Sequence, residues 1–154
     1  MKSAVKVIVA LLVLVGSVQA GAQGISEPVV RSFLAKFDKA IAAKNAAEIG
    51  RYISDDVQIS STMTSRGATQ SHKMNKDQYM TALRNNWSMS TNYVYRRSNE
   101  IIAVSGNAAT VSADVFESMV MGGQYISGRS TQVATIELVK GTPMITKIVA
   151  RGSM

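Results

Sequence analysis

The chain contains no cysteine and a single histidine in 154 residues. Without thiols it forms no disulfide and cannot be acylated as a lipoprotein behind its N-terminal apolar run, and one imidazole cannot build a structural zinc site. That apolar run, Val7 to Val15, is nine residues long, far short of the ~20 needed to cross a bilayer. A glycine-rich phosphate loop, a dinucleotide fingerprint, a Gly-x-Ser-x-Gly elbow and zinc-ligand spacing are all missing. No cofactor and no metal is therefore expected. Acids are sparse: 17 Lys and Arg stand against 10 Asp and Glu, for a net charge of +7.

The N-terminus does carry a pattern. Lys2 and Lys6 flank the start, the apolar run follows, and Val18-Gln19-Ala20-Gly21-Ala22 places small residues before two candidate cleavage points. A basic start, a short apolar centre and a small-residue end describe a secretory signal peptide over residues 1–22, cleaved after Ala20 or Ala22. The remaining single domain, 23–154, is then periplasmic or secreted. Loss of Lys2 and Lys6 leaves 15 basic against 10 acidic residues, lowering the charge from +7 to +5. Outside the cytosol such a protein has little nucleic acid to meet. Anionic headgroups, cell-wall polymers or acidic proteins suit the charge better.

Along the domain, Ser26-Glu27-Pro28 has the composition of a helix start, and Val30, Phe33, Leu34, Phe37 and Ile41 recur at spacings of three and four. A short second helix carries Ile49, Tyr52 and Ile53 and ends at Ser54-Asp55-Asp56. Val57–Ser60 alternates as a strand, and the Ser/Thr/Gly-rich stretch from Ser61 to Lys73 reads as a long loop or irregular hairpin. Asn75 and Gln78 form a capping box ahead of a third helix with Tyr79, Met80, Leu83 and Trp87. Four β-type runs follow, over 92–104, 108–121, 124–139 and 144–151, with connections short enough to force antiparallel neighbours. Helices segregated from such a sheet define an α+β domain.

This order resembles the nuclear transport factor 2-like superfamily, which includes SnoaL-like and ketosteroid-isomerase-like proteins. The matching parts are the first helix Phe33–Ala43, Ile53-Ser54-Asp55-Asp56-Val57 after a short helix, the third helix with Trp87, and Gly106-Asn107-Ala108-Ala109 before a long strand. The resemblance implies a cone-shaped, curved antiparallel sheet wrapped around three helices, of the cystatin-like kind, with a pocket at its wide end. It also implies a homodimer packed through the outer sheet face, as in many members. Members range from isomerases and cyclases to binding modules, so the fold alone does not select a function.

Read with period two, the strand from 108 to 121 places Val111, Ala113, Val115, Glu117, Met119 and Met121 on one face. Glu117, set among apolar neighbours, is the candidate proton carrier: a partly desolvated carboxylate there is suited to acid–base work. It could instead be neutralised by Arg96, Arg97 or Arg129. The expected pocket lining is Phe37, Tyr52, Trp87, Val115, Glu117 and Met119, with Tyr79, Tyr93 and Tyr95 as further aromatics. Asp38 points toward the surface on helix geometry, Asp114 faces Arg129 across the hairpin, and His72 belongs to an exposed loop.

These features support an exported binding domain for a small, largely apolar molecule or a protein partner. The alternatives are an isomerase, cyclase or hydratase using Glu117, and a cell-envelope assembly module acting through the outer sheet face.

Overall fold

The structure is a computed structural model and describes residues 24–153. The signal-peptide segment lies outside the described residues.

Helix α1 (Glu27–Ala42) is followed by α2 (Ala46–Tyr52), strands β1 (Ile53–Ser65) and β2 (Ala68–Met74), helix α3 (Lys76–Ser88), and strands β3 (Ser90–Ser105), β4 (Ala108–Met121), β5 (Gln124–Val139) and β6 (Thr142–Ser153). The six strands form one curved, unclosed sheet in the order β2-β1-β6-β5-β4-β3. Neighbours are antiparallel except β1 and β6, the second and third strands in this order, which run parallel. The fold class is α+β.

Helix α1 forms because its apolar stripe has something to cover. Val30, Phe33, Leu34, Phe37, Ala40 and Ile41 are all buried, against Ile49 of α2 and sheet residues that include Val57, Ala109, Val111, Ile136 and Ile145. Ser26 occupies the N-cap position in extended conformation but its side chain makes no capping bond. Glu27 and Pro28 carry the helix start, through a favourable charge in the first turn and a pre-set φ. Helix α3 has the full capping box: Gln78 N–H donates to Asn75 Oδ1 at 2.9 Å and Asn75 N–H to Gln78 Oε1 at 3.0 Å.

One assignment from the sequence changes, and one open reading is resolved. Ser54-Asp55-Asp56 does not close α2 but opens β1, where the Ser54 hydroxyl donates to Asp56 and Lys76 pairs with Asp55. Of the two readings of Ser61 to Lys73, loop or hairpin, the hairpin holds: the stretch is the rest of β1, a turn at Arg66-Gly67, and β2, which makes the sheet six-stranded. Its strands lack apolar alternation and are paired by hydroxyls, Thr62 with Ser71 and Thr64 with Thr69, each at 3.0 Å. Hydroxyl pairing stabilises a ribbon without leaving a hydrophobic pattern to read. His72 is accordingly a strand residue, and it is exposed.

Bulges bend the sheet. On β3, Asn92 and Tyr93 together oppose Met119, since Thr91 pairs with Val120 and Val94 with Ser118. Asn99 and Glu100 likewise sit between the Ser98–Asp114 and Ile101–Ser112 pairs. Asn92 and Asn99 both have φ near +50°, a region asparagine tolerates better than most residues. Each extra residue increases local twist and curvature.

Gly152, on β6, approaches β5 too closely for a side chain: a Cβ there would overlap the Arg129 carbonyl oxygen and lie 2.7 Å from Ser130 Cβ. Gly152→Ala should therefore cost about 1–3 kcal/mol, read as a lowered urea midpoint with an unchanged slope.

Candidate functional site

The inner face of β4 divides into two halves. Ala109, Val111, Ala113 and Val115 are buried, whereas Glu117 and Met119 are half-buried. Beside these last two lies a hollow of about 180 Å³. Helix α3 contributes Leu83, Asn86 and Trp87, β3 contributes Tyr93, β4 contributes Glu117 and Met119, and β5 contributes Ile126, Ser127, Arg129 and Ser130. Met63, at the far end of β1, closes one edge. Gly128 stands directly across from Glu117 in the β4–β5 register, and its lack of a side chain leaves the space open. Larger and more open depressions lie around Asp114 and Phe116 (about 420 Å³), beside Lys73 and Lys147 (about 730 Å³) and between Phe33, Tyr52 and Pro143 (about 420 Å³).

Glu117 is held by a tyrosine. The Tyr93 hydroxyl donates to Glu117 Oε1 at 2.5 Å. The β3 bulge makes this contact, because it lets Thr91 and Val94 both face outward while Tyr93 turns in. Tyr93 also packs edge-on against Trp87, with ring centroids 6.0 Å apart, and Lys44 Nζ lies 5.7 Å from its ring centroid. None of the salt bridges among the described residues involves Glu117. The arginines expected to neutralise it are turned elsewhere: Arg129 lies over the Phe116 ring, and Arg97 is engaged by Asp38.

That Asp38–Arg97 pair corrects the reading of Asp38 as a surface acid. Arg97 Nη2 donates to Asp38 Oδ1 at 2.8 Å and Nε to the same oxygen at 3.1 Å, while Nη2 also donates to the Tyr95 hydroxyl at 3.0 Å. The Arg97 side chain is only 10% exposed. Helix geometry set Asp38 off the apolar stripe correctly; what the pattern of α1 could not show is that β3 curls over that flank of the helix. Asp114 likewise meets neither Arg129 nor another cation, but accepts from Asn99 at 2.7 Å and Thr131 at 3.1 Å. These bonds hold its carboxyl below the usual carboxylate range.

Of the expected lining residues, the hollow brings together Trp87, Glu117 and Met119. Val115 is fully packed beneath them. Phe37 and Tyr52 lie elsewhere, edge-to-face 6.1 Å apart beside Phe33: Phe37 is buried under α1, while Tyr52, its hydroxyl bonded to Glu48, is half-buried and borders a separate depression with Phe33 and Pro143. Leu83, Ile126, Met63 and Gly128 were not legible as site residues, because each depends on which strands and helix meet at that end. Three tyrosines around the inner face are pushed well above the ordinary phenol range. For Tyr79 and Tyr93 the causes are burial and then the negative charge of Glu117; for Tyr95 the cause is burial, with Asp38 adding to it against the opposing Arg97.

Neither a protein-family model nor a curated protein matches the sequence. Solved structures do match. A nuclear transport factor 2-like protein from Cytophaga hutchinsonii superposes with a TM-score of 0.65 at 13% identity, covering 82% of this chain and 98% of its own. A hexachlorocyclohexane dehydrochlorinase from Novosphingobium barchaimii gives 0.61 at 15% identity, over 80% and 83%. A ketosteroid isomerase-like protein from Erwinia carotovora atroseptica gives 0.58 at 10%, over 81% and 94%. The chain thus has the nuclear transport factor 2-like fold.

Two measurements check this arrangement. Asp38→Asn leaves the buried Arg97 guanidinium without its counter-charge and should cost about 1–3 kcal/mol; adding Arg97→Met should restore part of that in chemical denaturation. The folded-state values of Tyr79, Tyr93 and Tyr95 lie above the ordinary 10.0, so the stability they contribute is complete below about pH 10 and drains as pH rises further. In an absorbance titration these three phenols should ionise only together with alkaline unfolding, and smooth titration of all five tyrosines before unfolding would contradict their burial.

Proposed function

We propose that this chain is an exported binding domain whose hollow between α3 and strands β3–β5 receives a small, largely apolar ligand. The observation that carries this reading is the lining: Leu83, Trp87, Met119 and Ile126 around one carboxylate, Glu117, held by a neutral tyrosine. Apolar walls with one or two fixed polar groups are what small-molecule sites usually consist of. At about 180 Å³ the hollow is close to the ~150 Å³ cavity that accommodates benzene, so the ligand is about one ring in size. Export rests on the basic, apolar and small-residue pattern of residues 1–22.

A second reading, an isomerase, cyclase or hydratase, draws support from the Tyr93–Glu117 bond, which sets a hydroxyl donor beside a carboxylate that could move a proton. Its fold neighbours include a dehydrochlorinase and an isomerase-like protein. Binding is the better account, because the one histidine is exposed on β2 and Asp38 is tied to Arg97. Among the described residues no second carboxylate and no imidazole joins Glu117 in the lining. The outer sheet face exposes Ile101, at 69%, and Tyr125, at 66%, which supports a homodimer or an assembly contact there.

Trp87 is the only tryptophan and lines the hollow, so its fluorescence reports occupancy. Toluene should change that fluorescence saturably, and Gly128→Leu, which fills the space facing Glu117, should abolish the response. An unchanged spectrum up to saturation with toluene and with its polar and charged one-ring analogues would sink the binding reading. Glu117-dependent deuterium exchange into cyclohexanone would establish the catalytic one in its place.

A further inference from the structure

We infer that the ligand of this hollow is a small organic cation, an ammonium group on an apolar body about one ring in size. The inference rests on the binding reading above and names the chemistry that the site recognises. Glu117 is the one negative charge in the lining among the described residues. Its Oε1 accepts from Tyr93, while Oε2 has no donor among the described residues. A carboxylate bounded by Leu83, Trp87, Met119 and Ile126 loses hydration when the hollow fills with an apolar body, and a neutral tyrosine does not offset its charge. A ligand that brings its own positive charge does.

The protein's nearby cations are committed elsewhere. Lys44 donates to the Ser90 carbonyl at 3.3 Å and faces the Tyr93 ring. Arg97 is held by Asp38 and Tyr95. Arg129 contributes to the wall, but its guanidinium lies 5.7 Å from the centroid of Phe116, a residue that alternates onto the opposite face of β4 from Glu117. The walls suit a cation in a second way. Trp87, which presents the strongest quadrupole of any side chain, stands in the lining with Tyr93 and the polarizable Met119. An alkylammonium would donate to Glu117 Oε2 and lay its carbon body against Trp87, with Gly128 leaving the room opposite. An anion of the same size would meet Glu117 directly and is excluded.

The test is a Trp87 fluorescence titration of the purified protein with benzylammonium, benzyl alcohol, toluene and benzoate, which share one ring and differ in charge and polarity. Benzylammonium should bind about tenfold or more tightly than benzyl alcohol, and benzoate should not bind. Glu117→Gln should erase the preference while toluene still binds, and Tyr93→Phe, which keeps the carboxylate, should preserve it. Equal binding of benzylammonium and benzyl alcohol, or a preference that survives Glu117→Gln, overturns the cation inference and leaves the apolar site standing. Silence from all four probes overturns both.

Discussion

The apolar stripe of α1 pressed against the inner face of the bent sheet is the contact on which the rest of the molecule depends. Val30, Leu34, Phe37 and Ile41 are buried there with Val111, Ile136 and Ile145, and burial of side chains this large is the main favourable term in folding. The two elements do not match in length. Sixteen helical residues span roughly 24 Å at the usual rise, whereas the fourteen residues of β4 span roughly 46 Å. The inner face therefore continues beyond the reach of α1. Its far end, with Glu117 and Met119, is roofed only by the last turns of α3, and the hollow is the space that this mismatch leaves.

Curvature and polarity in that far half have the same origin. The β3 bulge that bends the sheet also turns Tyr93 inward onto Glu117. A second bulge, at Asn99-Glu100, sits next to the strand segment where Arg97 meets Asp38 on α1 and places Glu100 against Arg31. Tyr93, Arg97 and Glu100 thus take their places along β3, while β5 lines the hollow with Ile126 beside Ser127, Gly128, Arg129 and Ser130, and α3 with Leu83, Asn86 and Trp87. A carboxylate in this setting is satisfied by a neutral donor on one oxygen only. The neutrality of that donor separates the site from the Asp38–Arg97 pair, where a guanidinium supplies the counter-charge, also on a single carboxyl oxygen.

How much was legible in the chain varies with the range of the signal. Helices α1 and α3, the capping box, the long β4–β5 hairpin and the α+β class follow from local patterns, and the structure has them. The β1–β2 ribbon was left open between loop and hairpin because its side-chain pairing runs through threonine and serine hydroxyls, which give no apolar period. Glu117 stood out as an acid on an apolar face, yet its partner did not, because Tyr93 reaches it only through an irregularity in the strand. Phe37 and Tyr52 looked equally suited to a pocket; α1 and α2 cover their part of the sheet, so Phe37 packs into the core and Tyr52 borders a different depression.

By itself, the amino-acid sequence determined the periodicities: which residues turn inward, where helices start, which strands must be neighbours, and that one acid lies among apolar residues. These are short-range consequences of backbone geometry and side-chain chemistry. The tertiary structure decided which inward-facing residues are packed and which border open space, and which charges neutralise one another. Those outcomes depend on the relative lengths of helix and strand and on how bulges curve a sheet, and no local stretch of the chain encodes either alone.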